Sequence, residues 1–315
     1  MSNRLRQWTV GVVSASAVLC CSFAAHAWDS NEPSGKTNIN LAVASNFYGV
    51  PPSNSAITDI INLFEAAHPD YAVTVVDNGA TADLASRIVS GNSLNVDLFL
   101  AADTSTPQDL LINHFDLVAP YNSSYKPPLY TFNYAGGILA ILSNTPGVDL
   151  SCETGTCGYD PAVYPTVAIA DPSLAPYGVA AQSVLVGVYG LTPPLSSNSQ
   201  VHEYPNITAA YNAVIAQTDP VGFVAMSAIC SNGKYPTSGT SALAYFPVQS
   251  NPATPGVLTY NYNPLTQAGI AIRNHRSADQ DAELASFVAF LTDFTSPPTP
   301  DSPVTSVLSV RPETS

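Results

Sequence analysis

The sequence predicts an α/β protein of two lobes, with mixed, mostly parallel sheets and a cleft between the lobes. Three observations carry this. Short apolar runs rich in β-branched residues alternate with stretches of helical spacing. The strand-like runs are almost continuously apolar, as expected of strands covered on both faces. The alternation also falls into two sets of similar size, with a return of the chain at the end.

The elements follow in order. "INLAVAS" (39–45) reads as a strand, and "AITDIINLFEAAH" (56–68) as a helix with Ile57, Ile60, Ile61 and Phe64 on one face. "AVTVVDN" (72–78) is a second strand, "ADLASRIVSG" (82–91) a short helix closed by Gly91, and "VDLFLAAD" (96–103) a third strand. In the second set "GGILAILS" (136–143), "TVAIADP" (166–172) and "VGFVAMSAI" (221–229) are expected as strands. "GVAAQSVLVGVYG" (178–190) and "ITAAYNAVIAQ" (207–217) are expected as helices. "SALAYFPV" and "QAGIAIRN" are further strands, "DAELASFVAFLTDF" (281–294) is an amphipathic helix, and the Pro-rich 295–303 marks a loose tail. The expected division places 38–125 and 240–315 in lobe 1 and 126–239 in lobe 2.

Residues 1–27 have the form of a secretory signal peptide. A basic start with Arg4 and Arg6 precedes an apolar stretch, and Ala25-His26-Ala27 offers a cleavage site. A lipid anchor at Cys20 or Cys21 is the competing reading, disfavoured by the bulky Leu19 before Cys20. A retained transmembrane helix fits worse, since the apolar stretch is interrupted. The formal net charge is −14, and would approach −16 without the leader. Nucleic acid and anionic membrane surfaces are therefore excluded as partners, because both call for clustered Lys and Arg.

Cys152 and Cys157 lie in the short polar loop "SCETGTCGYD" of an exported chain, which points to a local disulfide. Cys230 reads as a small buried hydrophobe. No His or further Cys stands close enough to the pair for a metal site, and His68, His114, His202 and His275 are scattered. Neither G-x-S-x-G nor H-E-x-x-H occurs. A hydrolase with spatially paired carboxylates remains an alternative, since such pairing leaves no linear trace.

Ligands of open α/β sheets sit beyond the carboxyl ends of strands, where helices begin. Four such joints occur: "AVASNFYG" with Ser45 and Asn46, "DNGATADL" with Thr81, "DPSLAPYG" with Tyr177, and "YPNITAAY" with Ile207. None carries Lys, Arg or His. Each offers the unpaired N–H groups and roughly half a positive charge of a helix start. Convergence of such ends would make an anion site. At "LAPYG" no Ser, Thr or Asp stands where the helix needs a cap, so an anion from solution is the expected partner. A Ser or Thr at a helix start is ordinarily only a cap, and no single joint is specific.

These stretches resemble one family. "LAVASNF", "VDLFLAADTSTPQDL", "AIADPSLAPYGVAAQSVL" and "NITAAYNAVIAQTDPVGFVAMS" are similar to segments of the bacterial periplasmic molybdate-binding proteins, over about 39–294. These are the solute receptors of molybdate ABC importers and have the type II periplasmic-binding-protein fold. The resemblance implies ligand contacts at Ser45, Asn46, Thr81 and Tyr177, and at Ile207 through its backbone N–H. Ala225 stands where one branch has a tyrosine, so that contact does not carry over. It further implies molybdate or tungstate as ligand, with sulfate or phosphate as alternatives, and no cofactor, no metal site and no catalysis. The implied protein is a periplasmic monomer that delivers to a membrane permease.

Overall fold

The computed structural model describes residues 35–49, 55–118, 131–150, 158–229, 241–245, 262–274 and 276–292. The leader, Cys152, Cys157, Cys230, His275 and the Pro-rich tail lie outside these residues. Among the described residues no helix is long and apolar enough to cross a membrane.

The first sheet contains β1 (Thr37–Ala44), β2 (Tyr71–Gly79), β3 (Leu98–Ala101), β4 (Thr131–Gly137) and β10 (Leu265–Ala271), in the order β2-β1-β3-β10-β4. The second contains β5 (Leu139–Ser143), β6 (Val167–Ala170), β7 (Val201–Tyr204), β8 (Val221–Ala225) and β9 (Ser241–Tyr245), in the order β7-β6-β8-β5-β9. β1 runs parallel to β2 and β3, and β6 runs parallel to β7 and β8. β10 and β5 run antiparallel to both of their neighbours. Each sheet thus has one reversed strand, second from an edge.

Helices α1 (Ser45–Tyr48), α2 (Ala56–Ala67), α3 (Thr81–Val89), α4 (Ser105–Asn113) and α8 (Ala278–Thr292) go with the first sheet. Helices α5 (Pro176–Gly187), α6 (Ile207–Ile215) and α7 (Met226–Ile229) go with the second. On one face of the first sheet, Ile57, Ile60 and Phe64 of α2 and Phe287 and Leu291 of α8 bury against Leu41, Val43 and Leu100. Leu84 and Ile88 of α3 pack with Phe99 and Ile270 on the other. This burial on both faces explains why the strands are apolar at almost every position.

Several expectations are corrected. The single strand expected over 136–143 is two: β4 ends in the first sheet at Gly137 and β5 starts in the second at Leu139. Sheet membership therefore puts the crossings between the sheets at Ile138 and between Tyr245 and Leu265. The expected boundaries near 125 and 240 miss both, because they leave β4 and β9 with the wrong sheet. The strand expected over 221–229 stops at Ala225 and continues as α7. Thr81 is the first residue of α3, not a residue before it, and Pro176 rather than Tyr177 opens α5.

At the amino ends of β1 and β3, away from the four joints, Asp97 is buried. Its carboxylate accepts from the Asn40 backbone N–H (2.9 Å), Asn274 (3.1 Å) and Arg276 (3.2 Å). Arg276 is itself buried and also reaches Asp281 at 2.8 Å. This network ties β1, β3 and the start of α8 together.

Candidate functional site

The four joints lie at the carboxyl ends of β1, β2, β6 and β7. α1 follows β1 directly, and Ala80 alone separates β2 from α3. α5 follows β6 after a five-residue turn over 171–175, and α6 follows β7 after Pro205 and Asn206. Ser45, Asn46, Thr81, Tyr177 and Ile207 are each at most 4% exposed. Ala44, Ala80 and Ala102 from the first sheet's side share one buried cluster with Ala175, Tyr177, Ile207 and Ala225 from the second's. Of the five sequence-predicted positions, Tyr177 and Ile207 belong to this cluster; Ser45 and Thr81 directly follow its Ala44 and Ala80, and Asn46 follows Ser45.

Hydrogen bonds join the two sides. Thr208 of α6 donates its hydroxyl to the Ser45 carbonyl (3.0 Å), and Ser227 of α7 donates to the Asn46 carbonyl (3.0 Å). The Ala82 N–H donates to the Leu174 carbonyl (3.2 Å). A groove of about 440 Å3 opens beside this contact, on Ala82, Asp103, Ala175, Pro176 and Val179. It reaches the chain neighbours of Thr81 and Tyr177 but not those residues themselves.

The helix starts divide into two kinds. Side chains cap two other starts: Ser55 accepts from Thr58 N–H at 3.2 Å in α2, and Ser277 from Gln280 N–H at 3.2 Å in α8. The N-cap of α4, Thr104, makes no such bond, although Asp103 before it accepts from Thr106 N–H at 2.6 Å. At the joints α1, α3 and α5 begin after Ala44, Ala80 and Ala175, and none has a side-chain cap. An alanine cap costs about 1 kcal/mol relative to Ser or Asp, and these three alanines are buried. The fourth start is conventional in part, since Asn206 accepts from the Ala209 N–H (2.9 Å) and not from that of Ile207.

The Thr81 hydroxyl accepts from the Ala102 N–H at 3.1 Å. That contact fixes the oxygen and leaves its proton to be donated. Asp83 is partly exposed in the first turn of α3, where a carboxylate complements the helix dipole. Arg87 approaches Gly79 but is held by both oxygens of Asp77 (2.7 and 3.0 Å).

The Tyr177 side chain occupies a polar cluster that the sequence reading did not foresee. Asn46 donates its amide to Gln267 Oε1 (3.0 Å), and the Tyr134 hydroxyl lies 3.1 Å from the same oxygen and 2.9 Å from the Ala101 carbonyl. Gln267 Nε2 donates to the Tyr177 hydroxyl at 3.4 Å. Burial pushes the Tyr177 phenol well above its usual range, reinforced by the nearby Tyr262; hydrogen bonds from Asn46 and Gln267 pull the other way. Tyr262, which accepts from the Leu139 N–H, is pushed up to about 12, chiefly by burial. The phenols are therefore neutral donors at physiological pH. The phenol reaches this place because Gly137 has no side chain: a Cβ there would collide with the Tyr177 hydroxyl and crowd Gln267 Nε2.

Among the described residues no group of His, Cys, Asp and Glu is placed to hold a metal ion. His202 lies away from the joints, on β7, with Nδ1 2.7 Å from the buried Asp219.

Two sheets of matching strand order, joined by two crossings, with helix starts from both meeting between them, define the two-lobed type II periplasmic-binding-protein fold. The chain belongs to the bacterial extracellular solute-binding protein family, whose model matches residues 39–294. The molybdate-binding protein ModA of Azotobacter vinelandii is 32% identical over 197 residues, 62% of this chain and 68% of that protein. ModA of Rhodobacter capsulatus is 34% identical over 159 residues, 48% of this chain and 52% of that protein. Among solved structures, the Azotobacter vinelandii periplasmic molybdate-binding protein superposes with a TM-score of 0.61 at 23% identity, covering 85% of this chain and 97% of that one. Iron-bound HitA of Pseudomonas aeruginosa superposes at 0.51 with 12% identity, covering 86% and 84%. A fold shared with an iron-bound protein does not by itself fix the ligand, which has to be read from the site.

Proposed function

We propose that this protein is a periplasmic receptor that captures a tetrahedral oxyanion, molybdate or tungstate, between its lobes and delivers it to the permease of an ABC importer. The observation that carries the reading is the contrast in helix starts. The buried starts of α1, α3 and α5 lack side-chain caps and follow Ala44, Ala80 and Ala175 of one buried cluster, whereas α2 and α8 are capped by Ser55 and Ser277. The relatives named above support the choice of ligand.

In this reading Ser45 and Thr81 donate hydroxyl hydrogen bonds from one lobe, with Asn46 beside them. Tyr177 and Ile207 donate backbone N–H groups from the other. All are neutral donors, so the site favours a fully ionised oxyanion and disfavours one that brings its own O–H. Exclusion of water raises the worth of each dipole, which is how a protein of net negative charge holds a dianion. Because the donors come from both lobes, the anion binds the closed form better and shifts the population towards it. The bound ion is released unchanged, with no bond made or broken. The protein works as a monomer without a cofactor.

Titration calorimetry with molybdate, tungstate, sulfate and phosphate tests this. At least one of the first two binds tightly, and Thr81→Ala weakens that binding by about 1–3 kcal/mol, the worth of a buried hydrogen bond whose partner is charged. Heat from sulfate or phosphate alone would reassign the ligand, and heat from none would reject the receptor.

A further inference from the structure

We infer that Gln267 is a positioning residue for this site: it ties the donor-bearing start of α1 to the donor-bearing start of α5 across the cleft, and so holds the Asn46 side chain and the Tyr177-bearing first turn of α5 in place. The inference rests on the receptor reading above and adds a residue that none of the four joints contains.

Gln267 sits in β10, beside Thr266 in a strand whose other residues carry no polar side chain, and is only 3% exposed. A buried primary amide is costly unless its hydrogen-bonding groups are satisfied. Gln267 meets this by linking three elements: α1 through Asn46, β4 through Tyr134 and α5 through Tyr177. β10 belongs to the first sheet and α5 packs on the second, so the contact with Tyr177 exists only while the lobes are together. An amide gives hydrogen bonds on one side and takes them on the other. A thioether gives none, and a carboxylate only takes them.

Two substitutions of similar shape separate positioning from filling. Gln267→Met keeps volume and removes the hydrogen bonds; anion affinity falls about tenfold. Gln267→Glu keeps shape, draws the hydrogens of Asn46, Tyr134 and Tyr177 towards itself and adds a like charge; affinity falls a hundredfold or more near neutral pH. As pH is lowered, the buried carboxyl of the Glu variant takes up a proton and again both gives and takes a hydrogen bond. Its deficit relative to wild type therefore shrinks, while that of the Met variant does not. The titratable groups facing this position are Tyr134 on β4, Tyr177 on α5 and Tyr262, and Asp103 also acts on Tyr134. The three phenols stay protonated across the range.

The readout is tungstate calorimetry between about pH 5 and 8 on wild type and both variants, with thermal melts of the ligand-free proteins to confirm folding. Equal affinity in all three proteins, or Met and Glu variants equally impaired at every pH, would overturn the role of Gln267. Failure of wild type to bind any oxyanion would reject the receptor reading instead. If Gln267→Glu does not fold, loss in Gln267→Met that is not additive with loss in Tyr177→Phe supports the role, and strict additivity overturns it.

Discussion

Asp97→Ala is expected to lower the melting temperature by roughly 6–20 °C while leaving oxyanion affinity unchanged. Asp97 is 2% exposed and takes three hydrogen bonds, one from a backbone N–H, one from Asn274 and one from Arg276. Removing it leaves the Arg276 guanidinium, whose side chain is 6% exposed, with the half-buried Asp281 and the Ile272 carbonyl as its partners. It also leaves the Asn40 N–H without its acceptor. Breaking a buried pair from one side costs about 3–5 kcal/mol, because the remaining charge is left with fewer partners. At about 2–4 °C per kcal/mol for a chain of this class, the fall in melting temperature follows. The network sits at the amino ends of β1 and β3, whereas the joints follow the carboxyl ends of β1 and β2. Stability and binding should therefore separate. A melt unchanged within a degree or so would show that solvent reaches the network.

Gly178→Ala is expected to do the reverse: a modest loss of stability, about 1–3 kcal/mol as for other overpacked sites, with loss of most anion affinity. Gly178 is in the first turn of α5, beside Tyr177. A Cβ there would run into the Ala170 carbonyl oxygen and the Asp171–Pro172 peptide. These are backbone atoms at the end of β6, and they cannot turn aside as a side chain would. The first turn of α5 must lift off the strand end and carry the Tyr177 N–H with it. Gly136→Ala is the control, since a Cβ at Gly136 meets nothing within 4 Å. Calorimetry on the two variants reads the difference, and equal affinities would show that α5 does not present a ligand contact.

The sequence revealed the elements and the joints better than it revealed how the chain divides between the sheets. β1 and β6 are legible because their runs "LAVA" and "VAIA" are apolar on both faces, and β2 because of its β-branched run "VTVV". β7 escapes notice because "VHEY" is a four-residue edge strand with a charged residue in it. The run 136–143 looks uniform, yet Ile138 marks a crossing from one sheet to the other. Hydropathy carries no information about which sheet a strand joins. The missing cap at Ala175 was visible in one dimension, and so were its counterparts at Ala44 and Ala80 once the helix starts were placed. Their convergence was not, since it depends on packing between residues 36 to 131 positions apart. Tyr134 left no signal, an aromatic in a strand being ordinary. Gln267 did leave one: a single amide inside "LTQAGIA" is an expensive residue to bury, and it marks a polar partner that the linear pattern does not name.

The central claim is that neutral donors from four chain turns hold one dianion between the lobes. A crystal structure of the protein grown with tungstate tests it most directly, because the heavy atom reports its own position. The account predicts one tungstate between the sheets, its oxygens about 2.7–3.2 Å from the Ser45 and Thr81 hydroxyls and the Tyr177 and Ile207 N–H groups. Tungstate found only in the groove beside Asp103 and Val179, or only on the surface, would contradict it.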